Sequence, residues 1–354
     1  MRCCSLFSGA GIAETFLEDL GLNIVVANEL KSERAKLYSS VYKTTKMICG
    51  DIRNKEIFNQ IVKESEKIDF LLASPPCQGL SVAGTNRTPK EMQKDERNYL
   101  IKKVIELIKI KNPSYVMIEN VPSILKLELF HGKKLYNVLD LLKLHFGEDY
   151  NVEAKVLDSS DYGTPQVRKR AIIKVFKKGL KWEWPKKEKK ITVKEAIGHL
   201  PSLNPGEKSK IQWHFARTHT DNHILWMKNT PTGKSAFENS VHFPKKENGT
   251  KIKGYMSSYR RIKWDNPAPT ITIRNDAISS QRNVHPGRKK EDGTYSDPRV
   301  LTPLELMLLS SLPADWRIPK ETPEILIRQC IGECIPPLMV KKIIEPIIQN
   351  EKQN

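Results

Sequence analysis

Short apolar runs alternate with amphipathic stretches through residue 176. Runs typical of strands cover residues 2–7, 24–27, 47–49, 68–73 and 115–118. The spacing i, i+3, i+4, i+7 predicts helices between them; their apolar faces are Ala13, Phe16, Leu17 and Leu20, then Ile101, Val104, Ile105 and Ile108, then Leu135, Val138, Leu139 and Leu142. Residues 152–157 and 171–176 read as a closing hairpin. This alternation predicts a doubly wound α/β sheet.

The pattern changes after residue 176. Residues 177–190 are rich in lysine and tryptophan, and periodicity is poor from 191 to 299, where Pro, Gly, Asn and His are frequent. Helical signals return at Thr302-Pro303, and a last helix carries Val340, Ile343, Ile344 and Ile347 on one face. We therefore expect a catalytic domain at 1–176, a smaller, irregular, basic domain at 177–300, and a C-terminal segment at 301–354 that returns to the first.

Composition narrows the class of partner. The chain has 354 residues, 39% of them hydrophobic, and a net charge of +18. Such an excess attracts polyanions, and nucleic acid is the leading candidate because its phosphates repeat regularly. The alternative is an ordinary solvated lysine surface.

The cysteine and apolar content exclude several classes. Six cysteines are too few for a disulfide scaffold, and no CxxC pair or Cys/His spacing predicts a metal site. A reduced, cytoplasmic compartment fits best. The N-terminus has no long apolar run, which argues against a signal peptide, and no stretch of about 18 apolar residues predicts a membrane span.

Several predicted strands end in residues suited to ligand binding. Ligands bind beyond the carboxyl ends of strands in open parallel sheets. Gly9 and Gly11 follow the first strand, Glu29 ends the second 18 residues after Gly11, and Asp51 follows the third. An acid at that distance suits ribose hydroxyls. A lone Gly-x-Gly turn is weak evidence, and Asp51 could equally be a helix N-cap.

Cys77 is the candidate nucleophile. It follows Pro75-Pro76 at the end of an apolar strand, which is an unusual setting for a core cysteine. Glu119, followed by Asn120, ends the neighbouring strand and would face the same cleft, although Asn120 could instead cap a following helix. Arg168 and Arg170 alternate along a predicted strand, so they share one face. The alternatives are a buried structural cysteine and a solvated edge strand.

Taken in order, these segments resemble the DNA (cytosine-5)-methyltransferases of the prokaryotic restriction–modification type. The matching segments run over nearly the whole chain: FSGAG at 7–11, PPCQ at 75–78, ENV at 119–121, QVRKR at 166–170, PAPTIT at 267–272, RVLTPLELMLLSSLPADW at 299–316 and IGECIPP at 331–337.

The resemblance implies a Rossmann-like sheet that binds S-adenosylmethionine and releases S-adenosylhomocysteine, with no metal. The implied cofactor-binding residues are Phe7, Ser8, Gly9, Ala10, Gly11, Glu29, Asp51, Ile52, Pro76, Leu100, Glu333 and Cys334. It also implies that Cys77 is the nucleophile and that Glu119 contacts N3 of the base. Arg168 and Arg170 would support the base and the catalytic loop. The irregular domain would be the target-recognition domain.

Two positions depart from the family pattern. Glu333 stands where the family usually has Asn, and Leu80 stands where it usually has Phe. A carboxylate at 333 adds negative charge near a cationic sulfonium, which leaves the cofactor role of this position open.

Double-stranded DNA is the implied substrate. Ser81, Arg260, Arg261 and Arg274 are candidate DNA contacts, as are His214, Arg217 and His219, with ordinary surface charge as the alternative for each. We expect a monomer in the bacterial cytoplasm. A cognate restriction endonuclease could act on DNA separately from it. Three rivals stay open: a tRNA cytosine-5 methyltransferase, a catalytically silent DNA-binding relative, and an amino-directed DNA methyltransferase.

Overall fold

A seven-stranded sheet forms the centre of the molecule, with strand order β3-β2-β1-β4-β5-β9-β8. The computed structural model describes residues 1–76 and 93–351. The strands in chain order are β1 (Arg2–Leu6), β2 (Asn23–Glu29), β3 (Lys46–Cys49), β4 (Phe70–Ala73), β5 (Tyr115–Asn120), β6 (Glu128–His131), β7 (Lys134–Asn137), β8 (Tyr150–Asp158) and β9 (Lys169–Lys177). Strands β6 and β7 form a separate hairpin, which the sequence pattern did not predict.

The direction of the strands fixes where functional residues can meet. Strands β1 to β5 run parallel, whereas β9 runs antiparallel to both β5 and β8. The carboxyl ends of five strands therefore lie at the same edge as the amino end of β9. The predicted doubly wound α/β sheet with its closing hairpin is confirmed.

Helices flank the sheet and make up most of the C-terminal segment. Within the described residues they are α1 (Ser32–Val41), α2 (Lys55–Glu64), α3 (Ile101–Lys111), α4 (Val138–Phe146), α5 (Val193–Ile197), α6 (Asp221–Lys228), α7 (Pro303–Leu309), α8 (Glu324–Glu333) and α9 (Pro337–Glu351). Thr302 and Glu305 form a capping box that starts α7, as the Thr-Pro signal predicted. No helix in the described part of the chain is long and apolar enough to cross a membrane.

Alternation along the strands separates two apolar layers. Cys4, Leu6 and Leu71 belong to the layer that packs on α2, α3 and α4. Cys3 and Phe70 point to the opposite face, where α9 packs. The predicted apolar face of this last helix is confirmed, because all four residues are fully buried: Val340, Ile343, Ile344 and Ile347.

Two further apolar clusters bear on the predicted domains. One joins α1 to residues from 193–215, 262–271 and 301–331. The other is small and lies within 226–300; its buried members are Trp226, Met227, Ala236, Ile278, Val284 and Val300. The irregular region thus has a small core of its own, while parts of it pack beside α1. The boundaries at 176/177 and 300/301 stay predictions.

The predicted helix across Ala13 and Leu20 is wrong. This segment is a series of tight turns that ends in a 3₁₀ turn at Glu18–Leu20. Several of its backbone hydrogen bonds run to the third residue before, as in Leu17 N to Glu14 O at 2.9 Å. Spacing of i and i+3 suits such turns as well as a helix. The predicted helix at Leu135 also begins later, because Asn137 caps α4 and Leu135 lies in β7.

Glu14 is a buried carboxyl group among these turns. Its side chain is 1% exposed and accepts a hydrogen bond from Ser5 Oγ at 2.5 Å. Burial raises the pKa of Glu14 to about 7. A pKa that is raised in the folded state gives stability that is complete below the unfolded pKa and is lost as pH rises through the folded one.

We predict that Glu14→Gln removes this pH dependence. Between about pH 5 and about pH 8 the free energy of unfolding of the wild type should fall, relative to that of the variant, by about 3 kcal/mol. Urea unfolding at both pH values measures the difference. Glu18→Gln, at an exposed neighbouring position, should keep the wild-type profile; parallel profiles for Glu14→Gln and wild type would contradict the prediction.

Candidate active site

A tight turn after β1 opens the site. Phe7, Gly9 and Gly11 all have positive φ, at 59°, 57° and 81°. The carbonyl of Gly11 accepts a hydrogen bond from the Tyr42 hydroxyl at 2.5 Å, and a Cβ at Gly11 would lie 2.9 Å from the Tyr38 ring. A Cβ at Gly9 would meet nothing within 4 Å, so open space lies beside this backbone. A ligand can approach the chain closely there.

Glu29 fastens this turn to the end of β2. Its carboxylate accepts hydrogen bonds from Gly9 N at 2.9 Å and from Lys31 N at 2.8 Å. The residue is 7% exposed. Each carboxylate oxygen has two lone pairs, so Glu29 can hold the turn and still accept from the two hydroxyls of a ribose. The carboxylate acceptors of Glu29 therefore fit the ribose hydroxyls of a nucleoside cofactor at this edge.

Asp51 follows β3 at the same edge of the sheet. Arg53 contacts both of its carboxylate oxygens, at 2.7 to 3.1 Å, and lowers the pKa of Asp51. Asp51 is not the N-cap of α2, because Asn54 fills that position. Ile52 and Leu100 are buried in the apolar layer beneath, which suits the edge of an adenine ring.

Glu119 and Arg170 form an ion pair at the neighbouring strand ends. Arg170 Nε lies 2.7 Å from Glu119 Oε1, and both side chains are about 10% exposed, at 11% and 10%. Glu119 is paired with Ile172 in the β5–β9 register, which makes Arg170 its diagonal neighbour on the same face. The structure thus brings together the carboxyl and guanidinium groups that the sequence predicts at one cleft.

Asn120 joins this pair to the segment that precedes the predicted nucleophile. Its Nδ2 donates to the Pro75 carbonyl at 2.9 Å, and its Oδ1 accepts from Val121 N. The side chain therefore does not cap a helix, and sequence reasoning missed this role. Cys77 and Ser81 lie outside the described residues, and Pro76 is the last described residue before them.

Arg168 fastens two distant segments to the same edge. Its guanidinium donates to the Ile271 carbonyl at 2.7 Å and to the Gly332 carbonyl at 3.0 Å. The side chain is 3% exposed. This position suits a positioning residue, and its support of a bound base stays a prediction. A Cβ on Gly332 would lie 2.6 Å from Ile273 N, so only glycine fits this contact.

Cys334 lies close to these groups. Burial raises the pKa of its thiol to about 11, Arg168 and Arg170 oppose that shift, and Glu119 adds to it. The residue directly before it, Glu333, pairs with Arg34 of α1. The predicted cofactor-binding residues of the last motif therefore lie beside both the Glu119–Arg170 ion pair and the helix that follows Glu29.

Two candidate DNA contacts are wrong. Arg261 is fully buried, and its guanidinium donates to backbone carbonyls that include His285 at 2.7 Å and Met227 at 2.9 Å. His214 is also fully buried, between Thr302 Oγ1 and the Pro201 carbonyl. Both side chains stabilise irregular backbone and are unavailable to a duplex.

The other candidate DNA contacts stay predictions, and their side chains differ in exposure and in pairing. The side chain of Arg274 is 78% exposed, with Asp276 at 3.9 Å. Arg260 is 26% exposed and is tied to the Gly233 carbonyl and to Glu238. Arg217 pairs with Glu324, and burial lowers the pKa of His219 to about 4, which leaves its ring neutral near pH 7.

A glycine turn and an acid at strand ends, a carboxylate–guanidinium pair of low exposure and a basic irregular region are together typical of nucleic-acid methyltransferases with a Rossmann-like sheet. The family model for C-5 cytosine-specific DNA methylases matches residues 1–349, and the chain belongs to that family.

Individual relatives agree with this assignment. The chain is 58% identical to the Type II methyltransferase M1.HgaI of Avibacterium volantium, over 97% of each chain. It is 27% identical to the Type II methyltransferase M1.HphI of Haemophilus parahaemolyticus, over 97% of this chain and 86% of that one. A solved E. coli prophage protein, assigned as a candidate DNA modification methyltransferase, has a TM-score of 0.71 at 20% identity and full coverage of both chains.

The family settles the class of reaction. The protein is a DNA (cytosine-5)-methyltransferase, and the enzymes of this family depend on S-adenosylmethionine. Among the residues that the structure describes, no group of three or more His, Cys, Asp or Glu is arranged to hold a metal ion.

We predict that Asn120→Ala slows methyl transfer without weakening cofactor binding. Loss of the bond to the Pro75 carbonyl frees the segment that leads to Cys77, and small misplacements at a reacting centre lower rates by about 10- to 100-fold. Single-turnover methylation and S-adenosylhomocysteine affinity separate the two effects. Asn204→Ala, in a turn where Asn204 bonds Glu207, is the control; an unchanged single-turnover rate for Asn120→Ala would contradict the prediction.

Proposed function

We propose that the protein methylates C5 of a cytosine flipped out of duplex DNA, through a covalent adduct with Cys77. The observation that carries this proposal is the buried Glu119–Arg170 pair. It lies at the sheet edge where Asn120 ties down Pro75, two residues before Cys77. A carboxyl and a guanidinium group held together suit one edge of a cytosine, which offers N3 and O2 side by side.

Cytosine C5 is a weak nucleophile, and covalent catalysis divides the difficulty. The Cys77 thiolate would form a bond to C6 as the C5–C6 π bond breaks, and the electron pair would be shared between C5 and N3, where Glu119 holds or supplies a proton. The Arg170 guanidinium at O2 stabilises the charge that develops on the ring. After methyl transfer a base removes the C5 proton, and the C6–S bond breaks to release Cys77. Arg168 would act indirectly, because it holds the backbone at Ile271 and Gly332 near the Glu119–Arg170 pair.

S-adenosylmethionine supplies the electrophilic methyl group in this scheme. Glu29 would accept from the ribose hydroxyls, and Asp51 would accept from the adenine amino group. Phe7 to Gly11 would line the pocket beside the open space at Gly9. Ile52, Pro76, Leu100, Glu333 and Cys334 complete the proposed lining.

Flipping a base out of the duplex costs roughly a few kcal/mol, because stacking and base pairing are lost. The net charge of +18 and the basic region between Arg170 and Pro267 support phosphate contacts that offset it. Arg274, Arg260 and Ser81 stay proposed DNA contacts. We also propose a monomer that works in the bacterial cytoplasm on chromosomal DNA, alongside a separate restriction endonuclease; the Type II relatives support this setting.

The covalent step predicts a trapped complex. Duplex DNA with 5-fluorocytosine at the target position should form a denaturation-resistant adduct with the wild type, because fluorine cannot leave C5 as a proton does. Cys77→Ser should form none and should lose almost all methyl transfer. Cys49→Ser, which changes an exposed cysteine, is the control. Methylation at near wild-type rate by Cys77→Ser would overturn the covalent scheme.

The substrate is tested by comparing duplex DNA with tRNA. We expect the rate of methyl transfer to duplex DNA to exceed the rate to tRNA by at least about 100-fold. The reason is that the basic region between Arg170 and Pro267 suits a duplex groove. Bisulfite sequencing of DNA modified by the purified enzyme then gives the target site and identifies C5 as the modified position. Preferred transfer to tRNA would favour the RNA-directed alternative, and modification only at an exocyclic amino group would favour the amino-directed one.

A further inference from the structure

Glu333 occupies the position at which the resemblance predicts Asn, and the structure supplies a partner for its charge. Its carboxylate meets the guanidinium of Arg34, at the first turn of α1. The side chain of Arg34 is 10% exposed and that of Glu333 is 27% exposed, so the pair lies at the border of the interior. The acidic replacement and the buried cation therefore compensate each other.

The pair lies close to the proposed ribose-binding acid. Arg34 follows Glu29 by five residues, across the end of β2. The thiol of Cys330 senses all three groups: burial raises its pKa to about 12, Arg34 opposes the shift, and Glu333 and Glu29 add to it. The Arg34–Glu333 pair and Glu29 therefore act electrostatically on the same thiol, in the neighbourhood of the end of β2.

We propose that Arg34 determines how strongly the site distinguishes the methyl donor from its product, because it neutralises Glu333. This inference rests on the proposed cofactor role of Glu333. S-adenosylmethionine has a sulfonium and carries one positive charge more than S-adenosylhomocysteine, which has a neutral thioether. A paired Arg34–Glu333 contributes no net charge, whereas either residue alone leaves a full charge that is only partly screened at this depth.

A purely structural role for the pair has a different signature. A tie between α1 and α8 acts on both ligands alike, since donor and product share the adenosine and amino-acid groups. Breaking such a tie would weaken both affinities in the same proportion. The ratio of the two dissociation constants therefore separates a charge effect from a packing effect.

The test is a charge cycle read by calorimetric titration of S-adenosylmethionine and S-adenosylhomocysteine, without DNA. Arg34→Gln should shift the affinity ratio toward the donor by about three- to tenfold, and Glu333→Gln should shift it toward the product by a similar factor. The double variant Arg34→Gln with Glu333→Gln should restore the wild-type ratio, and so should Arg34→Lys, which keeps the charge.

Controls keep each outcome decisive. Lys342 on α9 forms an ion pair with Glu188. Lys342→Gln breaks this pair and should leave the ratio of the two dissociation constants unchanged. If Arg34→Gln fails to fold, Glu333→Gln carries the test alone, because its side chain is the more exposed one. Ratios equal to wild type in the single variants, with binding retained, would overturn this inference alone. If the wild type binds neither ligand, the proposed cofactor function is overturned, and this inference with it.

Discussion

The guanidinium of Arg168 is the contact on which the arrangement of this site depends. It bonds two backbone carbonyls that lie 103 and 164 residues further along the chain. Both acceptors are peptide groups, so the tie needs a close backbone approach, and Gly332 has no Cβ to prevent it. Removing acceptors from a buried guanidinium is costly, because the charge then loses hydrogen bonds that water cannot replace. The C-terminal segment is therefore held against the strand ends of the first 176 residues.

The antiparallel strand β9 gives this tie its functional meaning. A parallel strand at this place would carry the Arg168–Arg170 segment to the far edge of the sheet. Because β9 runs the other way, its amino end lies beside the carboxyl end of β5. Arg170 then pairs with Glu119, while Arg168 points into the interior and bonds the carbonyls of Ile271 and Gly332. Two arginines that are separated by one residue thus have different tasks, one in the ion pair at the strand ends and one in the contact between chain segments.

Sequence patterns predicted this edge well because strand ends carry local signals. Alternation located the strands, and the glycine turn, Glu29, Asp51 and Glu119 could be read directly after them. The pattern failed where several structures satisfy it. Apolar spacing across Ala13 and Leu20 suits tight turns as well as a helix. In the irregular region Arg261 and His214 could be surface or interior residues, and only the positions of distant carbonyls placed them inside. The bond from Asn120 to Pro75 likewise joins two strands and leaves no local signal.

The departure at Glu333 has the same origin. Within the last motif an acid in place of Asn leaves the cofactor role of the position open, because one sequence does not indicate which residue pairs with it. The fold brings α1 to that residue, and Arg34 balances its charge. Arg168 donates to the carbonyl of Gly332, the residue directly before Glu333, so the same contact also holds the backbone beside this ion pair. The charge at position 333 is therefore balanced locally by Arg34, while Glu119 and Arg170 keep a separate pairing of their own at the sheet edge.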